Sequence, residues 1–183
     1  LQTSSDSFHG QIPTILKINS SNTLATSLDQ AVTGSVDDAL KLGCAAIGFT
    51  IYPGSDHNFS LMEEYRELSH EAKAKGLAVV LWAYARGSNI SKKGETAMNI
   101  ISYAAHMSAL LGANIIKVKL PSNFLEEDPT KAAFENNNIA IGTLQERVAH
   151  IKKVAFEGKR LVVFSGGDAK DDNALMEEIK AIH

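Results

Sequence analysis

Residues 110–121 read LLGANIIKVKLP, and this stretch decides the architecture. Leu110, Leu111 and Gly112 end an amphipathic run, with glycine supplying the left-handed stop of a helix. The apolar segment that follows has the composition of a buried strand. Side chains alternate along a strand, so Lys117 and Lys119 share one face while Ile116, Val118 and Leu120 share the other. An ammonium is costly to bury, so lysines in such a segment lie at the wet end of a strand or are held as free amines. A free lysine amine is a nucleophile.

The same punctuation occurs three more times. KLG precedes CAAIGFTI, AKG precedes LAVVLWAY, and FEG precedes KRLVVFSGG. Helix starts are predicted at Ser35, at Asn58, and at Thr143 with Glu146 as a capping box. Leu144, Val148, Ile151 and Ala155 then fall on one helical face. Adding TILKINS at residues 14–20 and the helix DAKDDNALMEEIKAIH at residues 168–183 gives five strands alternating with helices, a parallel α/β arrangement.

A doubly wound sheet and a (β/α)8 TIM barrel both satisfy that alternation. The polar residues separate them. Trp82, Tyr84 and Arg86 share one face of their strand, Lys17 and Asn19 another, Thr50 and Tyr52 a third, and in each case the polar groups come late. A barrel gathers strand-end side chains into one mouth, so the pattern favours the barrel. Eight strands close such a barrel, and five leave two unpaired edges. The expectation is therefore one domain spanning residues 1–183 and forming an incomplete barrel.

Composition narrows the function. The 183 residues are 44% hydrophobic and 21% charged with a net charge of −3, which suits one globular core and gives no strong electrostatic footprint for nucleic acid or an acidic membrane, while leaving room for a small basic patch that binds phosphate. No apolar run reaches the roughly 20 residues of a membrane span, and residues 1–10 lack the order of a signal peptide. The single cysteine, Cys44, makes no internal disulfide, so a cytoplasmic location is expected. It reads as a small buried residue at a helix-to-strand junction. His9, His57, His70, His106, His150 and His183 are scattered without metal-ligand spacing.

In order, the segments ILKINSSNTL, AAIGFTIYPGSD, VVLWAYARGS, GANIIKVKLP and VVFSGGD resemble the archaeal-type class I fructose-bisphosphate aldolases, a (β/α)8 family. The resemblance makes these strands three to seven of the barrel; the first two strands and the eighth have no counterpart here. The activity it implies is reversible cleavage of fructose 1,6-bisphosphate to dihydroxyacetone phosphate and glyceraldehyde 3-phosphate, in glycolysis and gluconeogenesis. That chemistry runs through a lysine iminium and needs neither metal nor cofactor. The implied partners are a sugar phosphate and further copies of the chain in a homo-oligomer.

The resemblance places the Schiff-base lysine at Lys117. The residues alone support Lys117 or Lys119, which lie about 7 Å apart on one strand face, so that each disfavours the other's charge. Tyr84 matches the proton-transfer residue, and a phenol at a strand end has the donor that role needs. Trp82 reads as a pocket wall, Arg86 as a phosphate clamp or carboxylate partner, and Lys17 as a substrate contact. Ser165, Gly166 and Gly167 form a turn whose backbone N–H groups can approach phosphate at a helix N-terminus. Lys92 and Lys93 are a further basic pair, and the acidic segment 121–142 is a candidate lid. Other readings are a lysine-dependent enzyme acting on another phosphorylated ketose or deoxy sugar, a non-catalytic sugar-phosphate-binding barrel, and a doubly wound phosphate-binding domain.

Overall fold

The computed structural model describes residues 10–165 and 171–182. Its strands are β1 (Ile15–Lys17), β2 (Asn19–Ser20), β3 (Ala31–Val32), β4 (Ala46–Ile51), β5 (Ala78–Ala83), β6 (Ile115–Lys119) and β7 (Leu161–Ser165). The helices are α1 (Val36–Lys41), α2 (Asn58–Ala74), α3 (Met98–Leu110), α4 (Asp128–Asn136), α5 (Leu144–Val154) and α6 (Asp172–Ile182), with a 3-10 turn at Gly94–Thr96.

The main sheet runs β1-β4-β5-β6-β7, with every neighbouring pair parallel. Strand order thus follows chain order. A doubly wound sheet reverses direction at a switch point and places helices on both faces. Here right-handed crossovers taken always in one direction put the helices on a single face, as in a barrel wall. The sheet does not close; it is an arc of a barrel with β1 and β7 at its edges.

The helix-covered face holds the core. Ile47, Phe49, Ile51, Val79, Leu81, Ala83, Ile116 and Val118 are fully buried, against Leu61 and Tyr65 of α2 and Met98, Ile101 and Ala105 of α3. Each large side chain buried in this way contributes about 1.5–3 kcal/mol. On the other face Leu161 and Val163 remain 66% and 45% exposed, so the apolar positions of β7 have no cover there.

Local structure follows the sequence signals with four exceptions. Gly43, Gly76, Gly112 and Gly158 all adopt the positive φ expected of helix stops. The expected capping box of Thr143 with Glu146 forms, and Ser35 caps α1 in a second box with Asp38. Cys44 is buried and free at the α1-to-β4 junction. Helix α2, however, is preceded by His57 without a side-chain cap, and Asn58 is its first helical residue. The expected strand over residues 14–20 breaks at Ile18, and β2 turns away to pair with β3, which the sequence did not announce. The segment 121–142 contains a helix, α4, opened by Pro129 in its first turn.

Asn19 explains the break in the first strand. Its fully buried side chain donates to the Thr50 carbonyl at 2.8 Å and accepts from the Thr50 amide at 2.8 Å. The amide group thereby replaces one backbone rung of the β1–β4 ladder while the chain departs.

Candidate active site

Strand register sets the site as rows of side chains across the open face. One row is Thr50, Trp82, Lys117 and Val163, each the Cα partner of the next. The following row contains Lys119 and Ser165, with Tyr84 just past the end of β5. Below Trp82 lies Gly48. A Cβ there would overlap the Trp82 ring and come within 3.2 Å of Ile15 Cγ2, so glycine is what lets the indole lie across β4. A glycine inside an apolar strand signals such a close approach.

Three lysines face this side, in three different settings. Lys17 Nζ donates to Gln30 Oε1 at 2.9 Å and to the Asn19 carbonyl, and burial pushes its pKa down. Lys119 Nζ lies 2.6 Å from Glu95 Oε2, in an ion pair whose side chains are 25% and 14% exposed. Lys92 joins the same carboxylate at 3.1 Å from the solvent side. Burial pushes the Glu95 carboxyl up, but the hydrogen bonds from Lys119 and Lys92 outweigh it and hold the group below its ordinary range. Lys117 is half-buried between Trp82 and Val163 and makes neither an ion pair nor a hydrogen bond among the described residues. Lys117 and Lys119 therefore differ: one amine is bound to a carboxylate and the other is not.

Tyr84 is half-buried, and its phenol is held above its ordinary pKa by burial, with the adjacent Ser165 hydroxyl opposing. The phenol is thus a proton donor at neutral pH. Ser165 also donates to the Val118 carbonyl at 3.2 Å, which seats it at the end of β7. Arg86 stacks 5.5 Å from the centre of the Tyr52 ring; among the described residues it pairs with no carboxylate, and its buried Nε has no hydrogen-bond partner. The Tyr52 hydroxyl accepts from Gln30 Nε2 at 2.6 Å, so Lys17, Gln30, Tyr52 and Arg86 form one connected string along the rim. Gly166 and Gly167, the rest of the expected phosphate turn, lie outside the described residues.

The basic pair splits. Lys92 turns to Glu95, while Lys93 sits 4.3 Å over the Phe124 ring. The segment 121–142 is tied down at both ends by one side chain: Arg147 donates to the Pro121 carbonyl at 2.8 Å and to the Ile141 and Gly142 carbonyls at 2.9 Å each. Within it, Phe134 of α4 rests 5.5 Å from the His150 ring of α5. Glu95 and Gln30, each in a loop of unremarkable composition, were not legible as site residues.

Residues 2–182 match the DeoC/LacD family aldolases. The chain is similar to the class 1 fructose-bisphosphate aldolase of Thermoproteus tenax, 38% identical over 113 residues, covering 61% of this chain and 42% of that one. Similarity to the enzyme of the same name from Halobacterium salinarum is 31% over 175 residues, 95% of this chain and 57% of that one. An archaeal fructose-1,6-bisphosphate aldolase, solved with its catalytic lysine covalently bound to the carbinolamine intermediate, superposes with a TM-score of 0.78 at 28% identity. That superposition covers 99% of this chain and 63% of the solved one. The chain spans about half the length of the curated relatives it matches. With a match over nearly its whole length, and with strands wound in one direction as in the barrel of its structural relatives, the chain belongs to the DeoC/LacD aldolase family.

Proposed function

We propose that this protein is a class I aldolase, reversibly cleaving fructose 1,6-bisphosphate to dihydroxyacetone phosphate and glyceraldehyde 3-phosphate, with Lys117 as its Schiff-base residue. The observation that carries the assignment is the isolation of Lys117. It faces the open side of the sheet on a core strand, and among the described residues no carboxylate holds it as an ion pair, while Lys119 is engaged by Glu95.

In the proposed reaction the free amine of Lys117 adds to the ketose carbonyl carbon, and the oxygen leaves as water after protonation. The resulting iminium accepts the electron pair released when the C3–C4 bond breaks. The C4 hydroxyl gives up its proton and becomes the aldehyde carbonyl, leaving an enamine on Lys117. Protonation of that enamine and hydrolysis return the amine and release the ketone phosphate. Tyr84 is the proposed proton carrier, because it keeps its proton at neutral pH and projects beyond Trp82 on the same face. Trp82 walls the row beside Lys117. Lys17, Arg86, Lys119 and the turn beginning at Ser165 are the proposed contacts to the substrate's phosphates and hydroxyls, Lys119 through the face it turns away from Glu95.

On this reading the five strands are the third to seventh of an eight-stranded barrel, and the protein works as a cytoplasmic homo-oligomer in glycolysis and gluconeogenesis. Among the described residues no helix is long and apolar enough to cross a membrane. Borohydride reduction of the full-length protein with dihydroxyacetone phosphate, followed by peptide mapping, tests the assignment. A reduced adduct on Lys117 that is lost in Lys117→Met is expected. An adduct elsewhere, or none in folded protein, refutes it.

A further inference from the structure

The arrangement of the β5–α3 and β6–α4 loops points to Glu95 as a positioning residue that holds Lys119 as a paired ammonium and thereby sets the charge felt by Lys117. Glu95 does not reach its place by chance of a mobile loop. It lies in the 3-10 turn Gly94–Thr96, which is fixed from the β6–α4 loop at several points. Glu126 accepts from the Ser91 amide at 2.7 Å and from the Ser91 hydroxyl at 2.9 Å, and Ser91 in turn accepts from the Gly94 amide at 2.9 Å. Ser122 donates to the Thr96 carbonyl through its amide at 2.8 Å and its hydroxyl at 3.0 Å. Gly94 packs so closely on the Glu126 carboxylate that a Cβ would collide with it. The carboxylate of Glu95 is therefore delivered by a built turn, with its side chain 14% exposed, to an amine two residues from Lys117 on the same strand face.

Around Lys117 the described ionisable side chains of this face are Lys119 on its own strand, Tyr84 and Arg86 from β5 and its end, Tyr52 beyond β4, and Lys17 on β1; Glu95 and Lys92 come from the β5–α3 loop. The β7 positions facing this side, Leu161, Val163 and Ser165, are uncharged. Two carboxylates meet at this loop cluster, Glu126 engaged by Ser91 and Glu95 by Lys119, so Glu95 is the one that answers the Lys119 charge. With Glu95 in place, the charge of Lys119 is locally cancelled; with it neutralised, Lys119 becomes a bare cation two residues from Lys117 on the same strand face, where one ammonium disfavours another.

This inference rests on Lys117 being the reactive amine, but its test does not require turnover. Competitive acetylation of the full-length protein by acetic anhydride across pH, read by peptide mapping, gives the labelling midpoint of Lys117 itself. Glu95→Gln lowers that midpoint, because a bare ammonium then opposes a second one. Lys119→Met raises it, because Glu95 is left without its inner cation. Glu95→Asp stays near the wild type. Opposite signs for Glu95→Gln and Lys119→Met are not produced by a general loosening of the fold. Two shifts in the same direction, or a midpoint unmoved in both variants, overturn the proposal. Borohydride trapping of the same samples separates the two readings: absence of an adduct refutes the aldolase assignment, whereas the labelling shifts judge Glu95 alone.

Discussion

Replacing Gly48 by alanine should destabilise the protein, and the sign of that change is informative. Gly48 lies inside β4 in extended backbone, where alanine ordinarily stabilises by about 0.5–1 kcal/mol, since glycine loses more freedom on folding. Here the added Cβ falls within 2.5 Å of Trp82 Cη2, on a ring flanked on its row by Thr50 and Lys117. The overlap is relieved only by tilting the indole out across that row. Overpacking of this kind costs about 1–3 kcal/mol, which outweighs the backbone gain. For a chain of this size each kcal/mol moves the melting temperature by about 2–4 °C. Urea denaturation of the wild type, Gly48→Ala, Trp82→Leu and the double variant closes a cycle in which the glycine's cost should largely vanish once the indole is gone. Tilting also moves Trp82 against Lys117, so borohydride trapping in Gly48→Ala should slow even where the protein remains folded. A Gly48→Ala protein as stable as the wild type, or a cost unchanged by removing Trp82, refutes the packing argument.

Two further outcomes follow from single side chains. Asn19→Ala strips both partners from the buried backbone of Thr50 and should cost about 2–4 kcal/mol in urea unfolding; a loss under about 0.5 kcal/mol would mean that water takes over the amide's role. Burial pushes the Tyr65 phenol up to about 12, so the folded state favours the neutral form. Stability from this source is intact below the unfolded value near 10, then declines by roughly 3 kcal/mol at most as pH rises toward 12. Tyr65→Phe should therefore flatten the alkaline limb of a stability-against-pH curve, and an unchanged limb would show that the phenol ionises freely in the folded protein.

What could be read from the chain was what depends on period and punctuation. Four glycines after amphipathic runs located four helix ends, and alternation along β5 and β6 assigned Trp82, Tyr84, Lys117 and Lys119 to the open face. The rest depends on contacts distant in sequence. Nothing around Asn19 announces that its amide will stand in for a strand residue, because its partner is 31 residues away. Likewise the difference between Lys117 and Lys119 lies in Glu95, which is brought from another loop by Ser91, Glu126 and Ser122. The helix α4 is hard to read for a simpler reason: its run DPTKAAFEN is short and fully buries no residue, so Phe134 alone of its large side chains reports its packing.

The chain-ordered sheet bears on how the protein is made. Since each strand of the sheet pairs with the one that precedes it in the sheet, every new β–α unit can dock onto an edge already formed as synthesis proceeds. No inner strand has to wait for a much later segment to take its place between neighbours. Such accretion keeps loop-closure costs low and lets the wall grow from its first edge outward. It also leaves an unpaired strand at the growing end at every stage, so the vulnerable moment for misassociation is the interval before the next strand arrives, and slow synthesis or a rare-codon pause just after a strand should raise aggregation more than one placed within a helix.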